Sequence, residues 1–348
     1  MFKENSAINN ISDLGEFGLI EHITKKIKIR NSSTKLGIGD DAAVLNYGDK
    51  DVVVSTDLLV EGVHFDMVFT PLKHLGYKAV VVNLSDIYAM NAQPRQITVS
   101  LAISSKYSID AIEEIYAGIN LASEHYGVDV IGGDTTSSLS GLMISVTAIG
   151  EIEKGKAVLR SGAKENDLIV LSGDVGGAYI GLTILQQEKE VWKVNPNSQP
   201  DFQGKDYVLE RQLKPEARKD IITLLKKMEV VPTSMIDVSD GISSEIMHIC
   251  KASEVGCNIY EEKLPIDPTT YQGARDFDLD PTMCALNGGE DYELIFTISQ
   301  EDFDKIKGNP NLTVIGHITT KETGTNLITS GGSVTSLKAQ GWDGFKKG

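Results

Sequence analysis

Cysteine is scarce in this chain: Cys250, Cys257 and Cys284 are the only three among 348 residues. An odd count with no CxxC pair gives no disulfide framework, and no histidine cluster completes a zinc set. A reduced, cytoplasmic compartment is expected. Long apolar runs are missing too. No stretch reaches the roughly eighteen apolar residues of a membrane-spanning helix, and the opening MFKENSAINNISDLGEF lacks the apolar core of a secretion signal. Basic excess is absent as well: 33 Lys and Arg stand against 49 Asp and Glu, a formal charge of −16. That balance argues against a nucleic-acid backbone as partner, since phosphate contacts there rely on Lys and Arg. It also makes a bare nucleotide awkward unless metal ions intervene. Finally, no GxxxxGK[ST] occurs, which excludes a P-loop, and no Ser–His–Asp or Cys–His constellation stands out.

What is present is an ordinary globular mixture, 41% hydrophobic and 24% charged, long enough for two domains with their own cores. Residues 14–27 carry apolar side chains at helical spacing. Residues 51–56 (DVVVST) read as a strand, 72–90 as a helix, 96–103 as a strand and 109–127 as a helix. Strands in 128–131 and 143–152 close this series. A polar, turn-rich stretch at 153–168 follows. A second series then runs through LIVLSG (168–173), GAYIGLTILQQ (177–187), TSMIDVS (233–239), ISSEIMHICKASEV (242–255) and ELIFTI (293–298), with a long polar loop at 191–206. The expectation is an α/β (α+β) chain of two αβ domains, 1–153 and 154–348.

Acids recur where apolar runs reach turns. GIGDDAAVL (37–45) sets Asp40 beside Asp41. VVVSTD ends at Asp57, VVNLSD at Asp86 and VIGGD at Asp134. MIDVSD contains Asp237 and Asp240, and LNGGED ends in Glu290 and Asp291. Any one of these reads as a turn or helix cap, and Asp174 is assigned that role. As a set they sit where αβ domains build their sites, and hard cations want several carboxylate oxygens. Several Mg²⁺ ions held this way would bridge phosphates. Calcium is tested by DFDLDP (276–281), which fails as an EF-hand: Pro281 replaces the required glycine and Asn287 the bidentate Glu. The glycine-rich IGGDTTSS (131–138) and SGDVGGAYIG (172–181) are candidate phosphate cradles.

GIGDDAAVL, STDLLVEGVHF, KAVVVNLSDIYAMNAQP, VIGGDTTSS, LRSGAKENDLIVLSG, MIDVSDGISSE and NGGEDYELIFT stand in the order and spacing of thiamine-monophosphate kinases, and the chain resembles that family from 15–20 to 341–345. The wider superfamily includes aminoimidazole-ribonucleotide synthetase, selenophosphate synthetase and the hydrogenase-maturation dehydratase. The resemblance implies a homodimer whose N-terminal sheets pair, and ATP-dependent phosphorylation of thiamine monophosphate with Mg²⁺. It places Asp41, Ser55, Thr56, Asp57, Asp86, Asp134, Asp237 and Asp240 at the metals, and Gly133, Asp134, Arg160 and Ser239 at ATP. His64, Glu290 and Trp342 fall to the thiamine phosphate. The catalytic set is then Asp41, Asp86, Asp134, Arg160 and Asp240. No cysteine precedes Cys250, as selenophosphate synthetase would need. An aminoimidazole-ribonucleotide-synthetase-like ligase or cyclase is the alternative.

Overall fold

The computed structural model describes residues 34–36 and 39–340; the helix expected at 14–27 and Trp342 lie outside them. Within that range the first sheet takes β1 (Thr34–Leu36), β2 (Ala43–Asn46), β3 (Lys50–Val60), β4 (Gln93–Ser104), β5 (Asp129–Ser138) and β6 (Met143–Glu153) in the order β1-β2-β3-β6-β4-β5. β3 and β6 are antiparallel over their full length, from Lys50 opposite Glu153 to Val60 opposite Met143. The alternating pattern of β3 sends Asp51, Val53, Ser55 and Leu59 inward, while Thr56 and Leu58 face out. β4 and β5 are parallel, a pairing that requires a crossover, and helix α2 (Ile109–Tyr126) supplies it.

One face of this sheet is covered by α1 (Leu72–Ala89) and α2. Leu75, Val80, Leu84 and Ile87 of α1 and Ile115 and Ile119 of α2 pack with Ile97, Val99, Ile144 and Val146. From Leu75 to Ala89, every α1 residue except Asp86 is buried. A helix buried all round sits between two bodies rather than on a surface. Here the second body is the sheet of the C-terminal half, whose Val170, Met235 and Phe296 pack in one cluster with Ala89.

That second sheet uses β7 (Leu168–Ser172), β8 (Ser234–Asp237), β9 (Gly256–Tyr260), β10 (Leu294–Ile298), β11 (Leu312–Thr319), β12 (Thr325–Ile328) and β13 (Val334–Ser336). Their order is β13-β12-β9-β11-β7-β10-β8. Ile169, Leu171, Ile236 and Ile295 pack one way, with Ile246 and Ile249 of α6 (Ile242–Ser253). Val170, Met235 and Phe296 pack the other way, with Ile221 and Leu225 of α5 (Lys219–Lys227). α3 (Gly177–Val194) and α4 (Asp206–Leu213) pair beside it with α7 (Pro268–Asp276) and α8 (Pro281–Asn287). The fold is α/β with two sheets, and among the described residues no helix is long and apolar enough to cross a membrane.

Two expectations change. The polar segment expected to be a loop from 191 begins with the last turn of α3, which runs to Val194. IGGDTTSS, read beyond its first residue as a glycine-rich loop, forms most of β5, an exposed edge strand. Its glycine allows this: a Cβ on Gly133 would lie 1.7 Å from the Val99 carbonyl oxygen.

Candidate active site

The halves meet at a cleft of about 1570 Å³. Three carboxylates converge in it, each offering an oxygen within 4.8 Å of the others: Asp41 from the turn before β2, Asp86 from α1 and Asp237 from the end of β8. Each is held by a neighbour that fixes its rotamer. Ser55 Oγ on β3 donates to Asp86. Ser85 Oγ on α1 donates to Asp237 at 2.6 Å. The Arg160 guanidinium donates to Asp41 Oδ1, at 2.5 Å through Nη2 and 3.2 Å through Nε. Asp40 serves the main chain instead, accepting from the Asp41 amide at 2.9 Å and the Arg160 amide at 3.1 Å.

These acids repel one another in a dry site. Burial, then Asp57, Asp237 and Asp41, push the Asp86 carboxyl well above its usual range. Burial and Asp41 lift Asp237 to about 7, and burial lifts Asp57 to about 6. Asp41 is raised too, because its burial outweighs the Arg160 charge beside it. Its second oxygen, Oδ2, is buried with no hydrogen-bond partner among the described residues. An orphaned carboxylate oxygen beside two more acids fits a hard divalent cation, which takes oxygen ligands and offsets their repulsion.

Other expected residues line the same cleft. Asp57 does, with its amide bound to Asn83 Oδ1 at 2.9 Å. Thr56 does as well, although its hydroxyl is engaged by Val146 O and Thr147 Oγ1, both at 3.0 Å. Ser239 and Asp240 follow β8, and the Asp240 amide donates to Glu245 Oε1 at 3.0 Å. His64 accepts the Val60 amide on Nδ1 at 3.0 Å. Glu290 comes from the NGGED loop, where a Cβ on Gly289 would lie 2.4 Å from Ser239 O. That close approach lets the Glu290 amide bond Ser239 O at 2.7 Å. Gly133 and Asp134 are not brought in: they lie on exposed β5, outside this cleft.

Residues 39–152 match the family model "AIR synthase related protein, N-terminal domain". A thiamine-monophosphate kinase of Bacillus subtilis is 36% identical, the alignment covering 96% of this chain and 100% of that one. The chain belongs to the thiamine-monophosphate kinase family. The Escherichia coli K12 thiamine-monophosphate kinase is 34% identical over 95% of this chain and 98% of its own. A solved structure, "AaThiL complexed with AMPPCP and TMP", is 32% identical with a TM-score of 0.81, covering 96% of this chain and 98% of that one. The hydrogenase maturation protein HypE in complex with ATP shares the fold, at 22% identity and a TM-score of 0.67, covering 96% and 98%.

Several cleft residues escape the reading of motifs. Lys78 is buried on α1 and pairs with Glu290 Oε1 at 2.7 Å. Gln212 on α4 donates to Glu290 Oε2 at 2.7 Å. Glu245, also buried, is pushed well above its ordinary range by burial and by Asp240. A signal existed for one of them: Lys78 is the sole charge in LGYKAVVVNL, a run otherwise suited to a core helix.

Proposed function

We propose that this protein moves the γ-phosphoryl group of ATP onto the phosphate of thiamine monophosphate, giving thiamine diphosphate and ADP. Its family membership names the reaction class, and one observation of the site carries the reading: the convergence of Asp41, Asp86 and Asp237 with an unpartnered Asp41 oxygen. Those three, with Asp57, Ser55, Thr56 and Asp240 around them and Asp134 on β5, would hold Mg²⁺. When bound, Mg²⁺ supplies positive charge that screens two polyanions from each other and from the acids.

The acceptor is a phosphate monoester with a second pKa near ~6, so it is largely a dianion at neutral pH and nucleophilic without a general base. The chain's task is therefore placement and charge compensation for direct in-line transfer. Arg160, fixed by Asp41, adds a cation at the ATP side. Ser239 serves ATP as well, while His64, Glu290 and Trp342 take the thiamine end. We place the domain boundary at 153/154: the first domain carries most carboxylates, and the second completes the substrate site. The first sheet leaves Leu58 and Ile131 half exposed and β5 open along its edge. This supports a homodimer joined through that sheet, with Gly133 and Asp134 at the interface. Three buried, unbridged cysteines suit a cytoplasmic location.

The test is ADP release from MgATP with thiamine monophosphate, thiamine or the aminoimidazole precursor in separate reactions, and an EDTA control. ADP and thiamine diphosphate formed only with thiamine monophosphate, and only without EDTA, are expected. Turnover of the aminoimidazole precursor alone would move the assignment to the ligase or cyclase.

A further inference from the structure

Gln212 presents an unusual face to the cleft. The residue is 6% exposed and lines the cleft wall. Its Nε2 donates to Glu290 Oε2 at 2.7 Å, and its Oε1 is buried with no hydrogen-bond partner among the described residues. The amide orientation follows from chemistry, because an ionised carboxylate only accepts and the nitrogen must face it. Flipping the amide would set two acceptors against each other. Glu290 Oε1 pairs with Lys78 Nζ at 2.7 Å, and Lys78 also donates to the Gln212 main-chain carbonyl oxygen at 3.2 Å. The preceding residue, Arg211, pins α4 to its neighbours through Glu293 at 3.0 Å and the Asp174 carbonyl at 2.9 Å. Gln212 therefore has little freedom to turn and satisfy Oε1 within the protein.

A buried acceptor without a donor calls for one from the ligand. Glu290 beside it has acceptor capacity left on both oxygens. The pair thus asks for a group with two N–H bonds. On α1, Lys78 and Asp86 are eight residues apart, about 12 Å along the helix axis. The cleft accordingly has a carboxylate end, suited to phosphates and cations, and an amide end. The acceptor proposed above has matching ends: a phosphate, and an aminopyrimidine with an exocyclic amino group.

We propose that Gln212 is a specificity-determining contact, its Oε1 and Glu290 together accepting the exocyclic amino group of the aminopyrimidine. This inference rests on the functional reading given above. The experiment compares kcat/KM for thiamine monophosphate and for oxythiamine monophosphate, in which that amino group is replaced by an oxo group. Wild-type protein should favour the amino substrate by at least about a hundredfold, because the oxo group turns lone pairs toward two acceptors. Gln212→Met should lower kcat/KM for the amino substrate about tenfold or more and leave the oxo analogue within about threefold, with the KM for ATP nearly unchanged. Equal loss on both substrates, or an unchanged ratio, would overturn the assignment, as would a wild type that does not discriminate. If Gln212→Met shows no cooperative thermal unfolding, Gln212→Asn, whose amide is one methylene too short, takes its place: a collapsed ratio supports the assignment and a preserved ratio overturns it. Wild-type protein that fails to phosphorylate thiamine monophosphate identifies the functional reading as the error before any variant is compared, and the inference falls with it.

Discussion

At the scale of single residues the site is a set of charges held against their preference. Asp86 sits among Asp57, Asp237 and Asp41 with one hydroxyl donor from Ser55. Removing its charge relieves repulsion in the cation-free protein and removes a ligand from the loaded one. Asp86→Asn should therefore melt at or above the wild-type temperature in EDTA, fail to gain stability on Mg²⁺ addition, and lose more than about a hundredfold in turnover. Thermal scans with and without Mg²⁺, beside the ADP assay, check all three. Wild-type-like turnover would remove Asp86 from the site. A second variant probes support rather than ligation: Ser85→Ala deletes the 2.6 Å hydrogen bond to Asp237. It should raise the Mg²⁺ concentration for half-maximal stabilisation about tenfold, while turnover at saturating Mg²⁺ stays close to wild type. At this scale the acids were legible because each borders an apolar run. Which of them meet was not, since Asp41, Asp86 and Asp237 come from a turn, a helix and a strand far apart in the chain. Nor could the chain alone show that Asp134, in an equally suggestive motif, lies on an outer strand.

Elements were readable in proportion to their length and periodicity. α1, α2, β4 and β6 stand close to where alternation and helical spacing put them. α4, α7 and α8 escaped because helices of eight residues or so carry too few apolar positions to show a period. For the last two a signal was available: Asp267 before Pro268 and Asp280 before Pro281 are an N-cap followed by proline in the first turn. α3 starts at Gly177, where the sequence reading put it, but its cap is not local: the Asp291 carboxylate, distant in sequence, accepts the Gly176 and Ala178 amides. Distant chemistry also joins α1 and α2 to the connection between α4 and α5. Tyr77 and Tyr126 both donate to Glu216 Oε2 at 2.6 Å. Burial pushes the Glu216 carboxyl up, but donors on Lys214, Tyr126 and Tyr77 outweigh it and hold it below its ordinary value of 4.5. A carboxyl depressed in the folded state stabilises above its unfolded pKa, and that stability is lost as pH falls through the folded one. Glu216→Gln should thus melt below wild type at neutral pH, with the gap closing as pH falls below the ordinary carboxylate range. A gap that persists in acid would assign the loss to packing instead.

For the whole molecule, composition and motif order were enough to indicate two αβ halves, while the way they are joined was not written in any local pattern. The proposed dimer belongs to this scale. Ile131 is 57% exposed on β5, and Ile131→Arg should shift sedimentation from dimer toward monomer if the first sheet forms the interface. An unchanged dimer would relocate the contact, and a monomeric wild type would remove it. The remaining feature is α1, which belongs by sequence to the first half and is buried from Leu75 to Ala89 at every position but Asp86. Cutting the gene between residues 153 and 154 would follow the seam in the sequence but not the seam in the packing. The leading fragment would carry Ala89 bare of its partners Val170, Met235 and Phe296, and it would keep Lys78 without the Glu290 that neutralises it. The two pieces would have to be made together to fold, and the useful property of such a split is that catalysis would report their reunion.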